Sequence, residues 1–325
     1  HANPKGHVLV HCHAGVSQGK DLMTKEVAAK ALNFIFRSSG HALTIEFQGG
    51  ECLLNWKVVK YIVEKARAIN KVLKRDLHIC IVSNLSLLNE EKLDFLTDNE
   101  VSVCTSLDGS QEVHDANRKT AGGQDTFAKT MEKIQFAQDY YKKRGSLRRV
   151  DILATITKQA LAHPKDIVDT YVNRGIKGLH LRPVQNLGDA LENWQALAYT
   201  AEEFYEFWVR SMEYITELNR QGVDIIERGA YNILCKILVQ KDPMYVEYMN
   251  PTGMGRSSLL YQFNGDVYNS DEGRMISEPL FRIGTVDQDA KEVLQGATNR
   301  TTWLASILEL SCYNSAFKHW GGIHP

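Results

Sequence analysis

The chain has 325 residues and a formal net charge of −1; 43% of its residues are apolar and 24% are charged. These values are typical of a globular protein, and the near-zero charge argues against nucleic acid or an anionic membrane as a partner. No apolar run reaches the roughly 18–20 residues that a membrane-spanning helix needs. The length fits one large α/β domain with a smaller second domain, or a single large barrel.

The first half of the chain alternates short apolar runs, which predict strands, with longer amphipathic segments, which predict helices. The predicted strands are 7–10, 42–50, 77–84, 101–109, 148–157 and 179–184, and the predicted helices are 25–39, 56–72, 89–99, 125–145 and 163–175. This alternation predicts βα units around a parallel sheet of six strands, either doubly wound or an incomplete barrel.

The pattern changes after Leu187. Residues 200–222 predict a long helix with Thr200 as its N-cap, and 227–240 predict another helix. Asn264-Gly265 lies between β-rich flanks, which predicts a hairpin. We therefore expect two domains, 1–222 and 223–325.

The six cysteines are spread along the chain, with no two close together: Cys12, Cys52, Cys80, Cys104, Cys235 and Cys312. This spacing does not predict a disulfide framework in a chain of this length, and it fits a reducing, cytoplasmic compartment. Three of the cysteines lie in apolar strand or helix patterns, where cysteine is usually a small buried hydrophobic residue.

Polar residues gather just past the predicted strands, where parallel α/β sheets bind ligands. The set comprises Gly49, Gly50, Glu51, Ser83, Asn84, Ser106, Asp108, Arg118 and Arg182. Each of these residues also has a structural explanation, as part of a tight turn, a helix cap or an ion pair. Their common position at several strand ends favours a ligand site at this edge of the sheet.

Three segments of the chain, 45–55, 81–96 and 103–118, resemble the S-adenosylmethionine radical enzymes in their order and spacing. The resemblance is to the branch with a SPASM or twitch extension, which includes anaerobic sulfatase-maturing enzymes and His-Xaa-Ser system peptide maturases. It continues through 179–190 and 265–275 and covers roughly residues 10–325. It implies a partial (β/α)6 barrel with a smaller C-terminal α+β lobe, here a degenerate SPASM/twitch-like lobe.

The resemblance implies roles for the residues at the strand ends. A carboxylate flanked by glycines stands where the family binds the methionine ammonium, and an arginine stands where it binds the methionine carboxylate. The implied cofactor-binding residues are Gly49, Gly50, Glu51, Ser83, Asn84, Ser106, Arg118 and Arg182, with Cys52 in place of the family's proline. Asp108 and Asp271 are the implied catalytic residues: with Arg182 they face the substrate, and Asp271 is a possible base.

The family's [4Fe–4S] cluster needs three cysteines spaced Cys-x3-Cys-x2-Cys, with one iron site open to S-adenosylmethionine. The matching stretch here has Cys12 alone, because Lys5 and Leu9 stand at the other two positions. Either a loop between Val10 and His11 is missing from this sequence, or the ligands have been lost. The C-terminal lobe departs further, since Ser270, Thr252, Ser315 and Gly321 stand where relatives often have cysteine. We therefore expect no auxiliary clusters.

The leading hypothesis is a radical S-adenosylmethionine enzyme that modifies a peptide or protein, using a 5′-deoxyadenosyl radical for hydrogen abstraction. The resemblance implies an electron donor such as flavodoxin or ferredoxin. One alternative is a cluster-deficient pseudoenzyme that serves as a peptide- or partner-binding scaffold, and another is a non-radical nucleotide-binding enzyme that uses the same edge.

Overall fold

A computed structural model describes residues 7–9, 21–38, 40–120, 122–239 and 253–308. The described chain divides into two compact units. The first unit takes in 7–9 and 40–228, and the second takes in 21–38 and the described residues from 229 onward. The predicted helix at 25–39 thus belongs to the second unit, although it precedes almost the whole of the first in sequence.

The first unit is built around a parallel sheet of five strands that curls into a partial barrel, as the resemblance implies. In spatial order its strands are β2 (Ala42–Phe47), β3 (Asp76–Val82), β4 (Val101–Ser106), β6 (Val150–Ile156) and β8 (Leu181–Pro183). The register pairs Ile45 with Ile79 and Ile81 with Val103. A short parallel pair, β7 (Gly178–Leu179) and β9 (Ile226–Glu227), adds to this unit.

Helices connect the strands of this sheet and cover one of its faces. They are α2 (Trp56–Leu73), α3 (Glu90–Asp98), α4 (Gln111–Asn117), α5 (Phe127–Lys143), α6 (Pro164–Val172), α7 (Trp194–Leu197) and α8 (Ala201–Arg220), with 3₁₀ turns at Cys52–Asn55, Lys158–Ala162 and Gly188–Ala190. The predicted cap of α8 is confirmed as a full capping box, in which Thr200 and Glu203 each accept from the other's backbone N–H. None of the described helices is long and apolar enough to cross a membrane.

Alternate residues along the strands face in opposite directions, and this alternation positions the site. In β4 and β6 every second residue is buried, including Val101, Val103, Ile152 and Ile156, while the residues between them stay partly or fully exposed. Because parallel sheets are normally apolar on both faces, a polar, accessible face is the signature of a curled sheet whose interior is not packed. We call this face the inner face.

The first predicted strand does not join the parallel sheet. It is described as β1 (His7–Leu9) and pairs antiparallel with β5 (Arg118–Thr120), placing Leu9 opposite Arg118. The prediction of six parallel strands is corrected to five among the described residues. Apolar alternation identified the strand correctly, but it carries no information about the partner.

The second unit packs α1 (Lys25–Phe36) against an antiparallel sheet of β10 (Leu260–Tyr261), β11 (Asp266–Tyr268) and β12 (Arg282–Thr285). Its other helices are α9 (Arg228–Leu234), which continues as a π-helical turn at Cys235–Val239, α10 (Asp271–Ile276), α11 (Ala290–Gln295) and α12 (Ala297–Leu308), with a 3₁₀ turn at Pro279–Phe281. The predicted hairpin is confirmed, with Gly265 at φ +93° in its turn. The shared core contains Ala31, Phe34, Val267, Val286, Ala290 and Val293.

We expect Phe34→Ala to destabilise the second unit by about 3 kcal/mol, because it removes a buried ring that packs edge-to-face on Tyr261 at 5.6 Å. Hydrogen exchange should accelerate in residues 260–295, more than 200 positions away in sequence. Val72→Ala, at a residue 81% exposed in the first unit, is the control and should change stability by less than about 0.5 kcal/mol. Unchanged exchange in 260–295 would contradict this assignment of α1.

Candidate active site

The Glu51 carboxylate ties two strand ends together. It lies just after β2 and caps the turn that follows, accepting a hydrogen bond at Oε1 from Leu53 N at 3.0 Å. Oε1 also accepts from the Ser83 hydroxyl at 2.8 Å, and Oε2 accepts from Asn84 N at 2.8 Å, both in the loop after β3. Burial raises the pKa of Glu51, while these three donors act in the opposite direction. Oε2 keeps accepting capacity for one further donor.

The loop that follows β3 is held in a strained shape. Leu85 is fully buried and has φ +61°, a left-handed conformation that is rare for a branched side chain. Its N–H donates to the Ser83 hydroxyl at 2.9 Å, and the Asn84 side chain accepts from Ser86 N at 2.9 Å. Backbone strain of this kind persists where the surroundings fix it, which is common at ligand sites.

The backbone at Gly49, two residues before Glu51, is open. Gly49 has φ +134°, and a Cβ built there would meet no heavy atom within 4 Å. Cys52, which replaces the family's proline, donates its thiol to Val82 O at 3.4 Å. Burial raises its pKa well above the usual value, so the thiol stays protonated and does not add charge beside Glu51.

Asp108 and Arg118 form a buried ion pair. Asp108 is fully buried and accepts from Arg118 Nε at 2.7 Å and Nη2 at 3.0 Å. It also accepts from Asn117 Nδ2 at 3.3 Å and from Thr155 N at 3.0 Å. The Asp108 carboxylate is occupied in orienting Arg118, and its predicted role facing the substrate stays a prediction. Arg118 Nη1 forms no hydrogen bond within the described chain and remains available.

A second tier of polar groups holds this pair. His114 is fully buried; its Nδ1 accepts from Asp108 N at 3.3 Å, and its Nε2 lies 3.2 Å from the Thr126 hydroxyl. The Thr126 hydroxyl donates to Arg118 O at 2.6 Å, so the bonding pattern assigns a neutral His114 that donates from Nε2. Asp115 accepts from Thr126 N and Phe127 N and fixes the start of α5.

The remaining predicted residues of the first unit lie at the same edge. Ser106 ends β4 with a partly exposed side chain, and Arg182 lies on β8 opposite Thr155. Next to Arg182 lies His180, which is 2% exposed and had no signal in the sequence. Burial, together with the positive charges of Arg182 and Arg228, lowers the pKa of His180 to about 3.

Asp271 belongs to the second unit, so its predicted role as a base stays a prediction. It opens α10 and accepts from Arg274 Nη2 at 2.9 Å and Nε at 3.1 Å. Ser270, at a position where relatives often have cysteine, caps the same helix by accepting from Gly273 N at 2.9 Å. Cys12, Thr252, Ser315 and Gly321 lie outside the described residues.

Sequence reasoning missed the polar row on the inner face. Its members alternate with buried apolar residues along the strands: Thr44 and Glu46 on β2, His78 and Cys80 on β3, Ser102 and Cys104 on β4, and Asp151 on β6. They contact one another across the strands, with Cys80 donating to Glu46 at 3.2 Å and His78 Nε2 lying 3.1 Å from Ser102 Oγ. The available signal was a polar residue at every second position of strands that belong to a parallel sheet.

The residues at the carboxyl edge fit a ligand that carries an ammonium, a carboxylate and hydroxyls. Glu51 offers a carboxylate oriented by three donors, Arg118 offers a guanidinium edge beside an ion pair, and Gly49 offers an open backbone. The described residues contain no cluster of three His, Cys, Asp or Glu that could hold a metal. This fit thus concerns the nucleotide-type cofactor alone.

Comparison with known proteins decides the family. Residues 10–170 match the model described as the Radical SAM superfamily. The chain belongs to this superfamily. The resemblance seen in its sequence is confirmed, with the edge residues Glu51, Ser83 and Ser106 inside the matched range.

Among curated relatives, a cysteine-type anaerobic sulfatase-maturating enzyme of Clostridium perfringens is 28% identical over 162 residues, 49% of this chain and 40% of that protein. A serine-type counterpart of Bacteroides thetaiotaomicron is 30% identical over 124 residues, 37% of this chain and 29% of that protein. An uncharacterised protein of Methanothermobacter thermautotrophicus is 24% identical over 228 residues, 67% of this chain and 79% of that protein. The two maturating enzymes are thus matched over less than half of their length.

Solved structures share the fold of this chain. Native anSMEcpe with bound AdoMet and a peptide superimposes with a TM-score of 0.78 at 20% identity, covering 98% of this chain and 85% of that one. Streptococcus suis SuiB bound to precursor peptide SuiA gives a TM-score of 0.62 at 10% identity, covering 90% and 63%. At these identities the likeness establishes the architecture, and the predicted partial barrel is confirmed.

We expect Asp108→Asn to lower the free energy of unfolding by about 3 kcal/mol, because it leaves the Arg118 charge buried without its counter-ion. Urea unfolding of the single variants and of Asp108→Asn/Arg118→Gln measures this. The double variant should be less destabilised than the sum of the singles, since each single substitution leaves the other charge without its partner and the double variant leaves neither. Additive losses would show that the two side chains do not depend on each other.

His180 predicts a pH dependence of stability. Its pKa is lowered in the folded chain, so its contribution is fully present above about pH 6.5 and is lost as the pH falls toward 3. The loss between pH 6.5 and 5 is about 2 kcal/mol. Chemical unfolding at these two pH values should show a smaller difference for His180→Asn, with no change of slope above pH 7. An identical acid slope in both proteins would refute this role.

Proposed function

We propose that this radical SAM chain is an enzyme that modifies a peptide or protein. The observation that carries the proposal is the pairing of an oriented carboxylate with an oriented guanidinium at one edge of the curled sheet. S-adenosylmethionine carries the ammonium and the carboxylate of an amino acid. The protein's carboxylate is opposite in charge to that ammonium, and its guanidinium is opposite in charge to that carboxylate.

Glu51 would hold the methionine ammonium through Oε2, while Ser83 and Asn84 keep the carboxylate from turning away. Arg118 would hold the methionine carboxylate through Nη1, since Nε and Nη2 are used by Asp108. Both groups are fixed before the ligand arrives, which lowers the entropy cost of binding. Ser106 would face the ribose, with Ser83 and Asn84 nearby, and the open backbone at Gly49 would let the methionine end approach Glu51 closely.

When bound, S-adenosylmethionine and a [4Fe–4S] cluster supply a 5′-deoxyadenosyl radical that abstracts a hydrogen from the substrate. Cys12 and two further cysteines would hold the cluster, and a flavodoxin or ferredoxin would donate the electron. Ser270 serves as a helix cap, so we propose that auxiliary clusters are absent.

The peptide class of the substrate is inferred from the maturating relatives and from the peptide-bound structures of the same fold. Asp271, with its carboxylate held by Arg274, is the proposed base. The scaffold alternative has in its favour the single cysteine of the stretch 7–16. It is less favoured, because a protein without this chemistry has no need for a strained loop at Leu85 and two preoriented charges at one edge.

The first test uses the full-length natural chain, reconstituted anaerobically with iron and sulfide. We expect about four irons per chain and reductive cleavage of S-adenosylmethionine. Glu51→Gln and Arg118→Lys should each weaken S-adenosylmethionine binding at least about tenfold by calorimetry. The first removes the negative charge that faces the ammonium, and the second removes the planar guanidinium that Asp108 orients. Thr44→Val, on the inner face below the site, is the control and should bind normally. A chain that holds essentially no iron and does not bind S-adenosylmethionine would contradict the proposal and favour the scaffold alternative.

A further inference from the structure

Glu46 differs from Asp151, the other acidic residue in the polar row of the inner face, in having no ion pair in the described part of the chain. Its Oε2 accepts from the Cys80 thiol at 3.2 Å, and its Oε1 accepts from the Gln48 side-chain amide. Both donors are neutral, and no cation pairs with Glu46 in the described residues. Asp151, on the same face, instead lies 3.5 Å from Arg228. Glu46 therefore presents an oriented carboxylate that is outside any ion pair, although Arg182 and Arg228 act on the same part of the inner face through Cys104.

The thiol beside Glu46 does not change this charge. Burial of Cys80, together with the nearby Glu46 charge, raises the pKa of the thiol, which therefore remains neutral. Glu46 itself is exposed on the inner face. A bound metal is not the expected occupant, because the described residues place no third ligand there.

The position of Glu46 relates it to the cofactor site. Cys80, its partner in the register, precedes Ser83 by three residues, and Cys80 in turn pairs with Ser102, four residues before Ser106. At about 3.3 Å per residue, Glu46 lies roughly 10 Å below the edge that holds Glu51 and Ser83. A peptide whose reacting carbon is at that edge can extend one neighbouring side chain to this depth.

We propose that Glu46 is a specificity-determining residue that binds a cationic side chain, the ammonium of lysine or the guanidinium of arginine, in the peptide substrate. This inference rests on the proposed function. It adds that the peptide substrate carries a positively charged residue near the residue that is modified. The fixed carboxylate would form an ion pair with that side chain, while Gln48 and Cys80 keep it from rotating. A partly exposed ion pair of this kind strengthens binding of the peptide about three- to fivefold.

The test is a selection of random peptides of 12 residues by mRNA display on the full-length reconstituted chain with S-adenosylmethionine. We expect lysine and arginine to be enriched over the input library on the wild type. The enrichment should vanish on Glu46→Gln and give way to aspartate and glutamate on Glu46→Lys. Glu91→Lys makes the same charge change on the exposed face of α3 and should leave the selection as in the wild type.

A selected peptide then provides the quantitative measurement. Replacing its conserved lysine or arginine by norleucine should weaken binding three- to fivefold on the wild type and have no effect on Glu46→Gln. Equal losses on both proteins, or the same basic enrichment on all variants, would overturn the inference. Calorimetry with S-adenosylmethionine on the same samples separates the two proposals: loss of cofactor binding in the wild type refutes the proposed function, whereas a normal titration with no charge preference refutes only the role of Glu46.

Discussion

The geometry of the candidate site depends on one fully buried carboxylate. Asp108 follows β4, yet it accepts from Asn117 at the end of α4, from Arg118 at the start of β5 and from a backbone N–H of β6. A single side chain thus fixes four neighbouring elements of the chain. Burying a carboxylate costs several kcal/mol unless it is paired and fully hydrogen-bonded. The four donors meet that cost here, and in doing so they set the direction of the Arg118 guanidinium.

The same principle distinguishes two carboxylates on either side of one turn. Glu51 is buried and accepts from three donors, two of them backbone N–H groups, so its position is fixed by the loops it joins. Glu46 lies five residues earlier, is exposed on the inner face, and accepts only from neutral side chains. The first is suited to a ligand of constant shape, such as a cofactor. The second can accommodate a partner that varies, because less of its surroundings depends on it.

Much of this architecture could be predicted from local patterns. The alternation of strands and helices, the Thr200 cap and the Asn264-Gly265 turn each depend on residues close in sequence. The site edge was also predictable, because parallel strands end together. The sequence did not predict which elements pack or pair with each other. An amphipathic helix at 25–36 does not specify which unit covers its apolar face, and the pattern of β1 does not specify its neighbouring strand. The ion pair between Asp108 and Arg118 was not predicted for the same reason, since a sequence gives the charge of a residue and not its counter-ion.

In the second unit, buried asparagine side chains hold the loops around the antiparallel sheet to α12. Around Ser270, the buried Asn269 donates to the Thr302 hydroxyl at 3.0 Å, and Asn299 donates to Gly255 O at 2.8 Å. Glycine is required beside both amides, since a Cβ at Gly255 or Gly273 would lie 1.9 or 2.7 Å from an asparagine oxygen. These hydrogen bonds connect α12 to the loops before β10 and after β11. Each such bond adds only about 1 kcal/mol, but together they fix both loops against α12.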